Sequence, residues 1–162
     1  NGRGRARSPA QTQGGQRRQQ ALTRGAIIHP SFAEKFVNHL LIIAHTPLAS
    51  ALRLAVLHSY PELAEHISAR DVLPDETREA CGAHCLGQLP AGELLICSDV
   101  FGASPHIVAQ AVLRERGGVL LTGANLPMLM RACCYRELPL AERAATALEG
   151  GQRGLMQDPG AE

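Results

Sequence analysis

The chain has 162 residues, of which 45% are hydrophobic and only 3% aromatic, so one ordinary domain with an aliphatic core is expected. The formal net charge of +1 is unevenly distributed: residues 1–37 carry six arginines and Lys35 against Glu34, whereas residues 38–162 carry nine arginines against fourteen acids. No apolar run approaches the ~20 residues that span a bilayer, and neither a signal-peptide pattern nor a disulfide framework is evident. These features favour a protein of the reducing cytoplasm.

Three regions are predicted along the chain. Residues 1–37 form a basic N-terminal extension that we expect to be disordered, because its Gly, Gln and Arg residues have little to bury. Residues 38–158 contain the folded domain, and residues 159–162 form a short tail. The basic extension could contact nucleic-acid phosphates, but a solvated leader is favoured, so no nucleic-acid partner is expected.

Within the domain, short apolar runs alternate with segments of helical spacing. The runs predict buried strands at 39–44, 66–72, 93–98 and 119–123. The helical segments are 47–59, 75–86, 105–116, 127–136 and 138–149. Thr46 and Ser104 are the expected N-caps, each followed by a proline, and the last helix is expected to stop before Gly150. This alternation predicts an α/β fold with a doubly wound, mainly parallel sheet.

Two polar residues follow the first and third predicted strands, at the sheet edge where such folds bind ligands. If these strands are neighbours, as in the flavodoxin-like order, His45 and Asp99 meet there. A carboxylate that accepts one ring N–H fixes the tautomer and leaves the other nitrogen as a nucleophile. The loop at 100–105 (VFGASP) adds backbone N–H groups that suit an anion. The pattern suggests phosphoryl transfer through a phosphohistidine; the alternative is a loop histidine without a catalytic role.

Three motifs in this order carry a resemblance to a known family. They are residues 41–51 (LIIAHTPLASA), 94–105 (LLICSDVFGASP) and 123–129 (GANLPML), and the ending at 150–156 (GGQRGLM) adds to them. Residues 40–157 thereby resemble the mannose-family enzyme IIA domain of the bacterial phosphoenolpyruvate-dependent sugar phosphotransferase system (PTS). The resemblance implies a flavodoxin-like fold and a homodimer in which the carboxyl-terminal edge strand swaps between subunits.

The resemblance also implies a role for each residue of the predicted site. His45 would accept a phosphoryl group from phospho-HPr at Nε2 while Asp99 holds Nδ1, and a IIB component would take the group onward. Gly102 and Ala103, through their amides, and Ser104 would bind the phosphate. No metal or other cofactor is implied, and the membrane is reached only through a permease complex. The alternative function is a regulatory PTS module whose phosphorylation state controls binding to a kinase or a regulator.

Several further residues admit two interpretations. Phe101 and Asn125 are candidate partner contacts near the site. The alternative for Phe101 is a lid packed over the strand ends. Asn125 could also brace the site loop or be an ordinary turn residue. Cys81 and Cys85 flank a histidine on a predicted helix, but core packing is favoured over a metal site because the ligands are too few. The family commonly has x-Asn after the Ser-Pro of the second motif, whereas this chain has His106 and Ile107.

Overall fold

The computed structural model describes residues 1–2, 38–158 and 160. The predictions made for residues 3–37, and for most of the tail at 159–162, lie outside the described residues. Four strands are present: β1 (His39–His45), β2 (Ile67–Val72), β3 (Leu94–Ser98) and β4 (Gly118–Thr122). Five α-helices accompany them: α1 (Leu48–Ser59), α2 (Arg78–Gln88), α3 (Ser104–Arg116), α4 (Leu126–Cys134) and α5 (Leu140–Arg153). A 3₁₀ helix, Pro61–His66, which the sequence pattern did not predict, precedes β2.

The strands form one parallel sheet in the order β2-β1-β3-β4. This is the flavodoxin-like order, and it confirms the predicted fold class. Side chains alternate between the two faces along β1: Leu40 and Ile42 pack with α1, α4 and α5, whereas Leu41 and Ile43 pack with α2 and α3. Helices cover both faces, which is why the strands read as continuous apolar runs rather than alternating ones.

Two predicted helix caps are wrong. The Thr46 amide donates to the carbonyl of Val72 at 3.3 Å, so Thr46 belongs to the end of the sheet, and Pro47, joined to it by a cis peptide bond, occupies the N-cap of α1. Helix α3 begins one residue earlier than expected, because the Ile107 amide donates to the carbonyl of Ala103 at 3.1 Å. Ala103 is therefore its N-cap, and Ser104 is the first helical residue.

The predicted end of the last helix is also wrong. Helix α5 continues through Gly150 to Arg153, and a glycine stands at position 150 because α5 packs closely on α4: a Cβ at Gly150 would lie 2.3 Å from Cγ of Arg131. No strand follows α5 among the described residues up to 158. The swapped edge strand therefore remains a prediction.

Four of the five cysteines are buried packing residues, and Cys134 is exposed. Cys81 and Cys85 are buried between α2 and the sheet, as predicted, and all five cysteines are free thiols. In the part of the chain that the structure describes, no helix combines the length and the apolar character needed to cross a bilayer.

Candidate functional site

His45 and Asp99 lie side by side at the carboxyl ends of the two central strands. β1 and β3 pair in parallel with Ile43 opposite Ser98, so the residues that follow in each strand come together at one edge. One Asp99 oxygen, Oδ2, accepts from the backbone amide of His45 at 2.8 Å and contacts its ring Nδ1 at 2.7 Å. The carboxylate thereby fixes both the backbone and the side chain of the histidine.

The environment of Asp99 keeps its carboxylate ionised. The side chain is only 7% exposed, and the other oxygen, Oδ1, accepts from the Val100 amide at 2.7 Å. Burial alone would raise the pKa of Asp99, but the hydrogen bonds from the His45 amide, the His45 ring and the Val100 amide outweigh it and lower this pKa overall. Asp99 is thus a hydrogen-bond acceptor at neutral pH.

The ring of His45 presents one free nitrogen to solvent. Since an ionised carboxylate can only accept, Nδ1 carries the ring proton when the histidine is neutral. The lone pair then resides on Nε2, which has no partner among the described residues, and the side chain is 53% exposed. In this tautomer the lone pair of Nε2 faces the solvent, where it can attack an electrophile.

Two of the three residues predicted to bind phosphate already donate hydrogen bonds from their backbone amides to other residues of the protein. Gly102, whose φ of 82° lies in the left-handed region, donates to Nδ1 of His106 at 3.2 Å. The Ala103 amide donates to the carbonyl of Val100 at 3.2 Å. By contrast, the amide and the hydroxyl of Ser104 form no hydrogen bond with any other described residue. Of the three predicted phosphate ligands, Ser104 is the one whose donors are available.

A cleft of about 660 Å³ lies beside His45 and is lined in part by Ser104. Its opposite wall is the connection from β2 into α2, including Leu73, Glu76 and Arg78. No residue of this connection was predicted from the sequence to belong to the site. The strand order contained the relevant signal, because β2 is the other neighbour of β1 and its carboxyl end therefore adjoins His45.

Phe101 is not a lid, because its side chain is 78% exposed. Its ring contacts the ring of His106, with 4.7 Å between centroids and an interplanar angle of 41°. Val100, which precedes Phe101, is 56% exposed. The loop therefore carries a small exposed apolar surface directly after Asp99. Partner contact by Phe101 stays a prediction.

Asn125 caps α4 and closes the neighbouring loop. Its Oδ1 accepts from the Met128 amide at 3.0 Å, and its Nδ2 donates to the carbonyl of Gly123 at 3.0 Å. The Gly123 amide in turn donates to the backbone carbonyl of Asp99 at 2.8 Å. Asn125 is therefore linked to the site through the backbone of Gly123 and does not contact His45.

The fold and the site together define a flavodoxin-like α/β protein with an exposed histidine whose ring is oriented by a carboxylate. The chain belongs to the EIIA-man family, described as the PTS system fructose IIA component, whose family model matches residues 39–148. It is thus a PTS IIA component of the mannose type, a family that functions in phosphoryl transfer.

Two solved structures illustrate the shared fold. The mannose/sorbose specific IIA subunit of the phosphotransferase system from Enterococcus faecalis superposes with a TM-score of 0.70 at 19% identity, covering 77% of this chain and 97% of the other. The phosphotransferase system component EIIA from Streptococcus agalactiae gives a TM-score of 0.63 at 20% identity, covering 74% and 95%. Comparison with curated protein sequences gives no significant match.

Proposed function

We propose that His45 is the phosphoryl carrier of a PTS phosphorelay, with phospho-HPr as donor and a IIB component as acceptor. The observation that carries the proposal is the 2.7 Å contact between Asp99 Oδ2 and His45 Nδ1, which leaves Nε2 free to react. The Nε2 lone pair attacks the phosphorus of the donor phosphohistidine. A new N–P bond forms as the donor N–P bond breaks, and the bonding pair returns to the donor ring.

The carboxylate of Asp99 also fits the charge that develops. A ring that keeps its Nδ1 proton and gains a phosphoryl group on Nε2 becomes cationic, and the adjacent carboxylate stabilises that charge. The transfer is a matter of positioning and electrostatics and calls for no metal in this proposal. The group then passes to the nucleophile of the IIB component, and His45 returns to its neutral form.

The phosphate ligands are assigned from the available donors. Ser104 lines the cleft beside His45, and its amide and hydroxyl can donate to the phosphoryl oxygens at the start of α3. The predicted contacts from Gly102 and Ala103 require their amides to leave His106 and Val100 first. The homodimer and the cytoplasmic location are parts of the same proposal and follow from family membership.

The test is phosphorylation by phosphoenolpyruvate, enzyme I and HPr from the same organism, followed by intact-mass spectrometry. The parent should gain one acid-labile phosphoryl group, His45→Ala should gain none, and His58→Ala, which removes an exposed histidine of α1, should behave as the parent. An equal gain in His45→Ala and the parent would contradict the assignment. Loss of the group on adding the IIB component would support transport, and its retention would favour the regulatory alternative.

A further inference from the structure

We propose that His106 is a positioning residue that presents the loop surface around Phe101 to the phosphoryl donor. The inference rests on the proposed function, because it concerns how the donor protein docks beside His45. His106 is one of the two residues that stand where the family commonly has x-Asn after the Ser-Pro of the second motif.

The first support is the hydrogen bond between the loop and the imidazole. His106 is 5% exposed, and its Nδ1 lies 3.2 Å from the Gly102 amide nitrogen, which donates to it. A nitrogen that accepts carries no proton, so His106 holds its proton on Nε2. The bond fixes Gly102 in its left-handed conformation, with φ at 82°, and so defines where the loop turns.

The second support is the ring contact. Phe101 would be a freely rotating side chain at 78% exposure, but its ring centroid lies 4.7 Å from that of His106. Exposed aromatic residues are frequent energetic anchors of protein interfaces. An anchor already held in one orientation loses less conformational freedom when it binds, which favours association. His106 thus orders the residue that is best suited to docking.

The same geometry separates docking from chemistry. Asp99 is held by the amide of Val100 and by His45, and neither of these bonds involves His106. Removing the imidazole should therefore weaken donor binding while leaving the nucleophile oriented. This expectation differs from that of a merely structural residue, whose loss would impair every reaction of the protein alike.

The experiment compares two phosphoryl donors across a set of variants. Phospho-HPr must dock through a protein surface. Phosphoramidate is a small molecule whose phosphoryl group is bonded to an amino group, so it needs no docking surface. The variants are His106→Leu, which removes the acceptor, His106→Asn, whose amide oxygen can still accept from Gly102, Phe101→Ala, and the double variant Phe101→Ala with His106→Leu. Thermal midpoints show which variants are folded.

We expect His106→Leu to raise the apparent KM for phospho-HPr about fivefold to tenfold, with the rate at saturation within about twofold of the parent. His106→Asn should recover part of this loss. In the Phe101→Ala background, His106→Leu should raise the KM for phospho-HPr little further, because the aromatic side chain that His106 orders is already gone. Phosphoramidate should label no variant more slowly than the parent, because each variant keeps Asp99 on His45 and loss of the imidazole frees the Gly102 amide for the phosphate.

Three results would overturn the inference: an unchanged KM in His106→Leu, an equal slowing with both donors, or additive effects in the double variant. His106→Asn keeps the question answerable if the leucine variant does not fold, since its KM should lie above that of the parent. If neither donor labels the parent, the proposed function itself fails and the inference falls with it. If the parent is labelled and the His106 variants have the same KM for phospho-HPr as the parent, the carrier function stands and the positioning role is wrong.

Discussion

At the scale of single residues, the site depends on which nitrogen of His45 holds the proton. Asp99 Oδ2 contacts Nδ1 at 2.7 Å, and as an ionised acceptor it keeps the ring proton there. An amide in place of the carboxylate has a single accepting oxygen, and when its N–H faces Nδ1 the ring proton moves to Nε2. Nε2 then has no lone pair for the proposed phosphoryl transfer.

Asp99→Asn should accordingly slow phosphorylation of His45 by phospho-HPr by about 100-fold or more, since the wrong tautomer disables histidine catalysts to at least this extent. Quenched-flow labelling followed by intact-mass spectrometry measures the rate. Asp75→Asn provides a matched control, because Asp75 is exposed and is not among the residues that line the cleft beside His45. A rate in Asp99→Asn close to that of the control would show that Asp99 does not set the tautomer.

The juxtaposition of His45 and Asp99 could be predicted because it needs only the strand ends and the strand order. The hydrogen bond from Gly102 to His106 could not, because it depends on a left-handed turn in the loop and on the inward rotamer of a side chain four residues later. For the same reason, the engagement of the Gly102 and Ala103 amides was not foreseen. Local residue types indicate which donors exist, but the loop conformation decides which are free.

At the scale of elements, α4 and α5 are in close contact because glycines lie on the inner face of α5 and at its C-cap. A Cβ at Gly150 would meet Cγ and Cβ of Arg131 at 2.3 and 2.9 Å, and one at Gly154 would meet the ring of Pro127 at 2.6 Å. Both neighbours are themselves fixed near the backbone and cannot simply swing away. The two glycines therefore set the distance between the helices.

Gly150→Ala should destabilise the protein by about 1–2 kcal/mol, because the overpacking cost exceeds the gain in helix propensity. Urea unfolding followed by circular dichroism measures the change. Gly87→Ala is the matched control: it also lies in a helix, α2, but a Cβ there has no neighbour within 4 Å, so a gain of about 0.5–1 kcal/mol is expected. Equal effects at both positions would contradict the close-packing argument.

The strands could be predicted to within about one residue, because buried parallel strands leave a continuous apolar signature in the sequence. Helix ends were less predictable. A Gly-Gly pair is locally a helix terminator, and only the proximity of α4 explains why the pair at Gly150 lies inside α5. Likewise the start of α2 at Arg78 depends on the Thr77 hydroxyl, which accepts from the Ala80 amide at 3.2 Å.

At the scale of the whole molecule, the sheet end opposite the site holds a buried histidine. His39 is 7% exposed, and its Nε2 lies 2.8 Å from Oγ of Ser68. Burial, followed by the positive charges of His66 and Arg143 among its neighbours, lowers the pKa of His39 from 6.5 to about 4. The folded protein therefore binds a proton at this position less readily than the unfolded chain.

This difference makes stability depend on pH. Between pH 6.5 and 4 the unfolded chain binds more protons at His39, so the free energy of unfolding should fall as the pH falls, by at most about 1.4 kcal/mol per pH unit from this residue. Urea unfolding at a series of pH values measures the slope, and His39→Gln should flatten it. An unchanged slope in the variant would assign the acid sensitivity to other groups. Asp99, whose pKa is lowered from 3.8, contributes only at still lower pH.

The bond from the His45 backbone amide to Asp99 Oδ2 ties the two central strands together at their carboxyl ends. For that amide to exchange its hydrogen with deuterium in the solvent, the Asp99 carboxylate must first release it. The exchange rate of a single backbone amide therefore reports how often the contact between His45 and Asp99 opens in the folded protein.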